Sequence, residues 1–418
     1  MPKILRIINR FNLGGPTLNA AYLTKYLDPE YETLLIGGQW DEEAENLHPV
    51  LQKLNLNPLI IPEMRRNVSI KEDRKAYLKI RSIMREFQPD IVHTHASKAG
   101  ALGRLAAIRH GKAKIVHTYH GHVFHSYFNS TKTSIYKNIE RGLARKTDKI
   151  IAISERQKLE LSLRYRIAKK KKIEVIPLGM DLNGFHDNLA DKRIAFRTSE
   201  NLSEEDVAIG IIGRLVGIKN HRMFLHALKK ASEKTEKNIH AYVVGDGEEM
   251  SKLKQLAQEL ELFSEDQNQQ HIRMHKNIKL HFTSWVNDVE KITAGMDIIA
   301  LSSFNEGTPV SLIEAQAAEK PIVSTKVGGV SNTVKQNETA LLSPSNDVDS
   351  FVTNLLLLIE NKELRDTMGS KGWEFVQDKF HYTRMVNDMK RLYQNLLLKA
   401  AVPTILINYL IIFFEITS

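Results

Sequence analysis

The stretch "MDIIALSSFNEGTPVSLIEAQAAEKPIVSTKVGG", residues 296–329, has the pattern of a strand, a helix and a second strand. Its apolar runs "DIIAL" and "PIVST" have the length and composition of buried strands in a parallel sheet. The segment "PVSLIEAQAAE" between them is long enough to cross from the end of one strand to the start of the next. The same alternation continues along the chain, which predicts an α/β doubly wound fold.

An internal repeat divides this pattern into two similar halves. "DIV" at 90–92 is followed by "IVHT" at 115–118, and "DII" at 297–299 is followed by "IVST" at 322–325, so both segments recur with an offset of 207 residues. Apolar strands resemble one another by chance, but a shared offset favours two related domains. We therefore predict two Rossmann-like domains.

The length supports two domains, because 418 residues exceed the roughly 250–300 at which a single core usually stops growing. Pro and Gly punctuate "VIPLGMDLNGFHDNLADKR", residues 175–193, which is the predicted boundary. The predicted parts are an N-terminal Rossmann-like domain, a C-terminal Rossmann-like domain, a C-terminal helix and an apolar tail, at 1–180, 181–375, 376–399 and 400–418.

The apolar tail is shorter than the roughly 20 residues that a membrane-spanning helix needs. An interfacial anchor, a buried terminal segment and a sequence irregularity are all compatible with it. At the other end, "MPKILRIINRF" lacks the order of charged, long apolar and small residues that is typical of a signal peptide.

Composition limits the classes of function. The 59 basic and 49 acidic residues give a net charge of +10, part of it in the run from Lys169 to Lys172. Such a run is typical of a solvated loop, and a membrane-surface or anionic-substrate role is the alternative. No basic motif interleaved with aromatic residues indicates nucleic acid. The absence of cysteine excludes disulfides and thiolate catalysis, and it fits a reducing cytoplasm.

Ligands of open parallel sheets bind beyond the carboxyl ends of the strands, where helix N-termini converge. After the first predicted strand, Gly14 and Gly15 precede a helix, so their backbone amides can approach an anion. An ordinary strand–helix turn explains them equally well. The chain has no GxGxxG motif there, so a nicotinamide-dependent redox site is poorly supported.

Histidines follow another strand of the first half. "VHTYHGHVFH" supplies His117, His120, His122 and His125. Because no HExxH-type carboxylate pattern accompanies them, a substrate-binding or acid–base histidine is favoured over a metal site, and structural roles explain the others.

In the second half, Arg214 and Lys219 follow the apolar run "AIGIIG". Two cations at one strand end suit a diphosphate leaving group, although surface cations are common. In "FNEGTPVSLIEA", Glu306 precedes a Gly-Thr-Pro turn and Glu314 lies within the following helix. Backbone amides of that turn can point at an anion, whereas offsetting the helix dipole is the alternative role for the carboxylates.

These motifs occur together in an order that resembles a known family. The order is "HTHASKAGALGRLAA", "VHTYHG", "VIPLGMD", "GRLVGIKNH", "VVGDG", "FTSWVNDV" and the opening stretch. It resembles the bacterial glycosyltransferases of family 4, from about residue 3 to 398. The resemblance implies the GT-B fold, with two facing Rossmann-like domains, a deep cleft between them and a C-terminal helix that returns to the first domain. It also implies transfer with retention of configuration and without a metal or other cofactor.

The resemblance assigns the donor nucleotide-sugar mainly to the second domain. Arg214 and Lys219 would hold the diphosphate, with backbone contact from Gly15. Glu314 would take the ribose hydroxyls and the backbone around Val286 the base.

By the same resemblance, Glu306 and the amides of Thr308 and Val310 would hold the transferred sugar and its phosphate. Gly245, in "VVGDG", belongs to the same nucleotide-sugar-binding set. His120 would sit against the sugar at the reaction centre, which completes a catalytic set of His120, Glu306, Arg214 and Lys219. The Asp-x-Asp triplet at 347–349 is predicted to cap a helix rather than to bind metal.

"HTHASKAGALGRLAA" resembles the subgroup that builds capsule or O-antigen polysaccharide on a polyprenyl-diphosphate carrier. This implies a UDP-linked hexose or N-acetylhexosamine as donor, a lipid-linked saccharide as acceptor and a peripheral place on the inner face of the cytoplasmic membrane. Lys98 and Arg104 would then meet anionic lipid or the carrier. A transferase with a soluble acceptor and a catalytically inactive nucleotide-binding regulatory protein are the alternatives.

Overall fold

The computed structural model describes residues 1–12, 14–40, 48–65, 67–120, 130–262, 277–286 and 288–398. His122, His125 and the apolar tail 400–418 lie outside these residues. The chain forms two compact units, Met1–Met180 with Phe380–Ser418, and Asp181–Lys379. The first division falls within the predicted boundary segment 175–193.

The first unit contains a seven-stranded parallel sheet with the order β3-β2-β1-β4-β5-β6-β7. Its strands are β1 (Lys3–Arg10), β2 (Glu32–Gly38), β3 (Leu59–Ile60), β4 (Ile91–His95), β5 (Lys114–Tyr119), β6 (Lys149–Ala152) and β7 (Ile173–Val175). Its helices are α1 (Gly15–Tyr26), α2 (His48–Lys53), α3 (Ile70–Phe87), α4 (Ser97–His110), α5 (Ser130–Lys146) and α6 (Glu155–Leu159). A π-helical turn, Glu160–Arg164, follows α6 directly.

The second unit contains a six-stranded parallel sheet with the order β10-β9-β8-β11-β12-β13. Its strands are β8 (Val207–Ile212), β9 (Ile239–Val244), β10 (Ile278–Ser284), β11 (Ile298–Leu301), β12 (Ile322–Thr325) and β13 (Ala340–Ser343). Its helices are α7 (Asn183–His186), α8 (Leu189–Ser199), α9 (His221–Ser232), α10 (Met250–Glu259), α11 (Val289–Gly295), α12 (Val310–Ala317), α13 (Val330–Thr333), α14 (Val348–Glu360) and α15 (Lys362–Phe380).

The two sheets have equivalent topology, which confirms the predicted pair of Rossmann-like domains. In each unit the first strand lies between the second and the fourth, so the strand order reverses beside it. The segments that repeat with an offset of 207 residues, β4 and β11, occupy the same place next to β1 and β8. A reversal of this kind opens a crevice at the carboxyl edge of the sheet, which is where ligands of such folds bind.

Both faces of the second sheet are buried, as the continuous apolar strands predict. Along β8, Val207, Ile209 and Ile211 pack into one hydrophobic cluster, and the alternate residues Ala208 and Ile212 pack into another. Successive side chains of a strand point to opposite faces, so this division shows that helices cover the sheet on both sides. Helix α12, from the opening stretch, contributes Leu312 to the second cluster.

The predicted single helix over 376–399 is wrong. Helix α15 ends at Phe380, and a separate helix, α16, covers 382–398. At the break, the Met180 N–H donates to the Phe380 carbonyl at 2.8 Å, and the Tyr382 N–H donates to the Met180 carbonyl at 2.9 Å. The backbone pairs with a strand-like segment here, so the helical hydrogen-bond ladder stops. Met385, Met389 and Leu392 of α16 then pack into the core of the first unit.

Candidate functional site

Glu306 lies in the turn between β11 and α12, at the carboxyl edge of the second sheet. Its Oε1 accepts a hydrogen bond from Lys219 Nζ at 2.7 Å and another from Ser303 Oγ at 2.6 Å. The Glu306 side chain is 9% exposed and the Lys219 side chain 22% exposed. The two predicted residues are therefore a partly buried ion pair, and charge-assisted hydrogen bonds of this kind fix both side chains in position.

The backbone around this ion pair is held by the neighbouring turns. The Phe304 N–H donates to the Ile218 carbonyl at 2.9 Å, and Ser302 Oγ donates to the carbonyls of Lys219 and Asn220 at 3.2 and 2.9 Å. The turn after β8 and the turn after β11 thus form one framework. Because β8 and β11 are adjacent strands, their carboxyl ends bring Lys219 and Glu306 together across 87 positions of the chain.

A second loop supports Glu306 from the end of β12. The Gly329 N–H donates to the Glu306 carbonyl at 2.9 Å. A Cβ on Gly328, which has φ +48°, would lie 1.9 Å from the Glu306 carbonyl oxygen, and a Cβ on Gly329 would lie 1.6 Å from the Gly307 carbonyl oxygen. Only glycine permits so close a backbone approach, so the "VGG" that ends the opening stretch positions the Glu306 turn.

Arg214 and Lys219 both lie in the turn that follows β8. A Cβ built on Gly213 would lie 3.8 Å from Lys219 Cε, so the lysine side chain folds back toward the end of β8. The Arg214 side chain is exposed, and no residue of the described part of the chain forms an ion pair with it. In the described part of the chain, this turn therefore carries one cation that is paired, Lys219, and one that is not, Arg214.

Gly245 ends β9 next to this turn. The Gly213 N–H donates to the Val244 carbonyl at 2.9 Å. A Cβ on Gly245, which has φ +136°, would lie 2.1 Å from the Gly213 carbonyl oxygen. The predicted residue Gly245 thus contacts the turn that carries Arg214, and a larger residue would displace that turn.

Glu314 lies in α12 and is partly buried. Burial raises the pKa of its carboxyl to about 7, and the nearby negative charge of Glu290 adds to the rise. Among the residues that the structure describes, no side chain donates a hydrogen bond to this carboxyl group. A buried carboxyl without a donor is costly when ionised, so Glu314 is suited to a ligand that supplies hydroxyl donors.

The remaining predicted residues of the second unit flank this region. Thr308 lies in the turn before α12, and Val310 is the first residue of the helix, whose N-terminus receives no side-chain cap. The uncapped amides at the start of this helix are the groups that the sequence predicts to face an anion. Val286 packs at the edge of the hydrophobic cluster that contains Leu312.

His120 lies in the first unit, directly after β5. Its Nε2 is 2.9 Å from His95 Nδ1, and the two rings stack with centroids 5.2 Å apart. Burial lowers the pKa of His120 to about 3, so the imidazole is neutral at physiological pH. Its Nδ1 is buried without a hydrogen-bond partner among the described residues, which leaves one ring nitrogen for a ligand.

Sequence reasoning missed the side chains that support His120. His95 ends β4, the neighbour of β5, and the centroid of its ring lies 4.2 Å from the centroid of the His93 ring. His93 Nδ1 receives hydrogen bonds from Tyr393 Oη at 2.6 Å and from the buried Arg6 guanidinium at 3.3 Å. Because arginine can only donate, His93 carries its proton on Nε2 and donates it to Thr118 Oγ1 at 2.8 Å.

The signal for these residues was present in the sequence, since "HTH" and "VHT" end adjacent predicted strands. Alternation along β4 places His93 and His95 on the same face of the sheet. Burial, the positive charge of Arg6 and the neighbouring histidines lower the pKa of His95. His93, His95 and His120 are therefore neutral imidazoles that form a hydrogen-bonding network, and they do not bind or release protons near neutral pH.

A helix follows β1, as predicted, but Gly15 is its first residue rather than preceding it, and Pro16 occupies the first helical turn. A Cβ on Gly15 would make only ordinary contact, 3.5 Å from Leu178 Cδ1. Gly15 and His120 thus lie at the same edge of the first sheet, with β4 between their strands.

Two basic residues expected at a lipid surface serve internal roles instead. Arg104 is fully buried and donates two hydrogen bonds to Glu140, at 2.9 and 2.7 Å. Lys98 forms an ion pair with Asp73 and donates to the carbonyls of Arg65 and Asn67. A contact of Arg104 with lipid is excluded because its guanidinium has no solvent-accessible surface.

The triplet at 347–349 caps a helix, as predicted. Asp347 is the N-cap of α14, and its carboxylate accepts a hydrogen bond from the Ser350 N–H at 3.0 Å. Within the described ranges there is no group of three or more His, Asp or Glu side chains arranged to hold a metal ion. Within the same ranges, every helix is too short or too polar to cross a bilayer.

Comparison with known proteins adds two family matches. Residues 13–183 match the model described as Glycosyltransferase Family 4, and residues 192–375 match the model described as Glycosyl transferases group 1. The boundary between the matches lies beside the division of the structure into two units.

Individual relatives and solved structures agree with these matches. The chain is 29% identical to the UDP-Gal:alpha-D-GlcNAc-diphosphoundecaprenol alpha-1,3-galactosyltransferase of Escherichia coli, over 81% of this chain and 84% of the relative. It is 25% identical to the capsular polysaccharide biosynthesis glycosyltransferase CapM of Staphylococcus aureus, over 81% and 85%. The crystal structure of Anabaena HepE in complex with UDP superposes with a TM-score of 0.76 and 18% identity, over 94% of this chain and all of that one. The superposition on HepE shows that the two proteins share a fold.

Proposed function

We propose that this chain, which belongs to the family 4 glycosyltransferases and has their GT-B fold, transfers a hexose or N-acetylhexosamine from a UDP-sugar to a polyprenyl-diphosphate-linked saccharide. The product would serve cell-surface polysaccharide synthesis, with capsule and O-antigen as the expected classes. Transfer would proceed with retention of configuration and without a metal ion. The enzyme would act from the inner face of the cytoplasmic membrane as a peripheral protein.

One observation carries this proposal: the Lys219–Glu306 ion pair, 2.7 Å long, lies at the carboxyl edge of the second sheet, and the turn that supplies Lys219 also carries Arg214, which forms no ion pair in the described part of the chain. When the anomeric C–O bond of a nucleotide-sugar breaks, negative charge grows on the diphosphate and positive charge on the sugar ring. Cations for the diphosphate, with a carboxylate beside them for the sugar, match that distribution. The names of the relatives supply the UDP-sugar and lipid-linked acceptor as the classes to test.

Each residue of the second unit then has a chemical role. Arg214 and Lys219 stabilise the leaving diphosphate together with the uncapped amides at the start of α12. Glu306 holds hydroxyl groups of the transferred sugar, and the hydrogen bond from Lys219 orients its carboxylate. Glu314 accepts the ribose hydroxyls, and the backbone at Val286 contacts the base.

In the first unit, Gly15 is assigned to backbone contact with the diphosphate and His120 to the transferred sugar. Because its pKa is about 3, His120 is a neutral hydrogen-bonding group and not a general acid. Its Nδ1, which has no partner in the described part of the chain, is the atom that would contact a sugar hydroxyl. The acceptor hydroxyl forms the new glycosidic bond at the anomeric carbon, and its proton leaves with the diphosphate.

The test uses the full chain and a panel of UDP-, GDP-, ADP- and dTDP-sugars, scored first by thermal stabilisation. A nucleotide present at a concentration of 100 times its Kd should stabilise the folded state by about 2.7 kcal/mol. The stabilising donor is then incubated with a polyprenyl-diphosphate-linked saccharide and, separately, with soluble saccharides. Transfer to the lipid-linked acceptor supports the proposal; transfer only to soluble acceptors contradicts the acceptor class.

Glu306→Gln is the matched variant, because it keeps the size of the side chain and removes its charge. We expect it to lose transfer while it keeps its fold. Glu338→Gln, at an exposed glutamate of the same unit, is the control and should behave as the parent. Failure of every nucleotide to stabilise the parent, together with absent donor hydrolysis, would overturn the proposal as a whole.

A further inference from the structure

The positive charge of this protein is concentrated in one segment. Residues 134–172 contain 13 Lys and Arg against four Asp and Glu, a net charge of +9, whereas the whole chain has a net charge of +10. The other 379 residues are therefore almost neutral. A charge this localised acts on partners as a patch rather than as a general property of the surface.

The segment forms one continuous surface of the first unit. Arg141 of α5 donates to the Tyr165 carbonyl at 2.8 Å, and Lys137 Nζ lies 5.2 Å from the centre of the Tyr165 ring. Lys172 donates to the carbonyls of Ala144 and Arg145, at 2.9 and 3.1 Å. These contacts fix α5 against the stretch 164–172, so their outward-facing cations share one face.

We define the basic surface by its exposed cations. They are Arg145, Lys146, Arg156, Arg164, Arg166, Lys169, Lys170 and Lys171. In the described part of the chain, no carboxylate lies within 4.0 Å of Lys169, Lys170 or Lys171. Elsewhere, exposed lysines such as Lys230 and Lys237 are paired with carboxylates. The three adjacent ammonium groups thus face solvent without internal compensation.

Large aliphatic side chains accompany these cations. Ile135 and Ile139 on α5 are 55% and 47% exposed, and Leu159 and Leu163, at α6 and the π-helical turn, are 43% and 67% exposed. Ile135 and Ile139 are one helical turn apart, so they project from the same side of α5. Removal of their exposed aliphatic surface from water into an apolar phase is favourable.

We infer that the basic surface docks the first unit on a bilayer containing anionic lipids. Lys and Arg side chains would pair with lipid phosphates while the four aliphatic side chains enter the acyl boundary. Nucleic acid fits less well, because the patch offers aliphatic rather than aromatic groups for insertion. The inference rests on the proposed function in one respect: a lipid-linked acceptor requires the enzyme to reach a membrane.

The basic surface extends along one side of the first unit, between the two edges of its sheet. Helix α5 begins ten residues after His120, on the connection that leaves the carboxyl end of β5. Gly15 and His120 lie at this same edge of the first sheet. Helix α5 ends at the opposite, amino-terminal edge, where Arg145 and Lys146 precede β6 and Lys169 to Lys171 precede β7.

The test measures flotation of the full chain with vesicles of phosphatidylcholine containing 30% phosphatidylglycerol, and with pure phosphatidylcholine. The variant Lys169→Glu/Lys170→Glu/Lys171→Glu reverses the three unpaired cations, and Lys234→Glu/Lys362→Glu/Lys371→Glu makes the same charge change on exposed lysines of the second unit. At about fivefold for each basic residue near an anionic surface, the first variant should bind at least roughly 100-fold more weakly. The control variant should bind as the parent does.

A second variant, Ile139→Ser/Leu163→Ser, should weaken binding to anionic vesicles without changing the net charge. Salt at 0.5 M should reduce binding of the parent, since screening acts on the cations. If the charge-reversed variant floats with anionic vesicles as well as the parent does, the inference is overturned, and another part of the chain binds the membrane. The inference would also be overturned if the parent bound duplex DNA in a sedimentation assay in preference to anionic vesicles.

Two readouts separate this inference from the proposed function. Each surface variant should keep nucleotide-induced thermal stabilisation, because α5 and 164–172 belong to the first unit and the candidate nucleotide site to the second. If the parent binds vesicles but no nucleotide-sugar, the proposed function fails and the docking surface stands. If it hydrolyses donor but never binds anionic vesicles, the docking surface fails and the donor chemistry stands.

Discussion

Replacing Glu314 with glutamine should stabilise the protein and weaken nucleotide binding at the same time. Burial raises the pKa of the Glu314 carboxyl from 4.5 to about 7. A difference of this size corresponds to about 3 kcal/mol of folding free energy, at 1.36 kcal/mol per pKa unit. Because the side chain keeps some contact with solvent, we reduce the expected effect to about 2 kcal/mol.

The sign of the pH dependence follows from the raised pKa. Below pH 4.5 the carboxyl is protonated in both the folded and the unfolded state, so it carries no penalty. As pH rises from 4.5 to about 7, the unfolded state ionises first and the folded state loses relative stability; above pH 7 the penalty is complete. Glu314→Gln removes this penalty, so its stabilising effect should be full at pH 8 and disappear near pH 4.5.

Thermal unfolding without ligand gives the measurement. For a protein of 418 residues, 2 kcal/mol corresponds to about 2 °C in Tm at pH 8. The same variant should bind UDP about 10–100-fold more weakly by calorimetry, because it loses charge-assisted hydrogen bonds to the ribose hydroxyls. Glu374→Gln, at an exposed glutamate, should change neither quantity.

Two results would refute separate parts of the reasoning. A Tm at pH 8 that falls or does not change would show that the Glu314 carboxylate is not penalised by its surroundings. An unchanged affinity for UDP would show that the carboxylate does not hold the ribose. Stability gained and binding lost by the same substitution is the pattern expected of a residue kept for function.

Three further predictions follow from the same site and its surroundings. Lys219→Ala should lower donor turnover by about 10²–10³-fold, the range for loss of one group that stabilises transition-state charge, and a near-normal rate would contradict its assignment to the diphosphate. Treatment with EDTA should leave the transfer rate unchanged, whereas complete loss that Mg²⁺ restores would rule out metal-independent transfer. Lys320 is 7% exposed and burial lowers the pKa of its ammonium group to about 8; Lys320→Met should therefore gain about 3 kcal/mol of stability below pH 8. That gain should decline as pH rises from 8 to 10.5, and a Tm at pH 7 that does not increase would contradict it.

Local sequence was enough to predict the two sheets. The apolar runs, their spacing and the offset of 207 residues reflect strand burial and crossover length, which neighbouring residues largely dictate. The start of α12 after Pro309 and the cap formed by Asp347 were equally local. Where a residue's conformation depends on its own turn, the sequence is sufficient.

Side-chain partners depended on the tertiary structure. Lys98 and Arg104 had the composition of a lipid-binding surface, but Asp73 and Glu140, on other segments, pair with them. The helix predicted over 376–399 breaks at 381 because its backbone meets Met180, about 200 positions earlier. Neither partner is visible from local pattern.

In the candidate site, too, local sequence determined some features and the tertiary structure determined the others. The sequence by itself placed Glu306 and Glu314 around one strand–helix turn and set Lys219 at the end of another strand. Only the adjacency of β8 and β11 joined Lys219 to Glu306, and only the packing of α12 gave Glu314 a raised pKa. The reason is physical: chain geometry fixes strands and turns over a few residues, whereas charge pairing and desolvation depend on which distant groups the fold brings within a few ångströms.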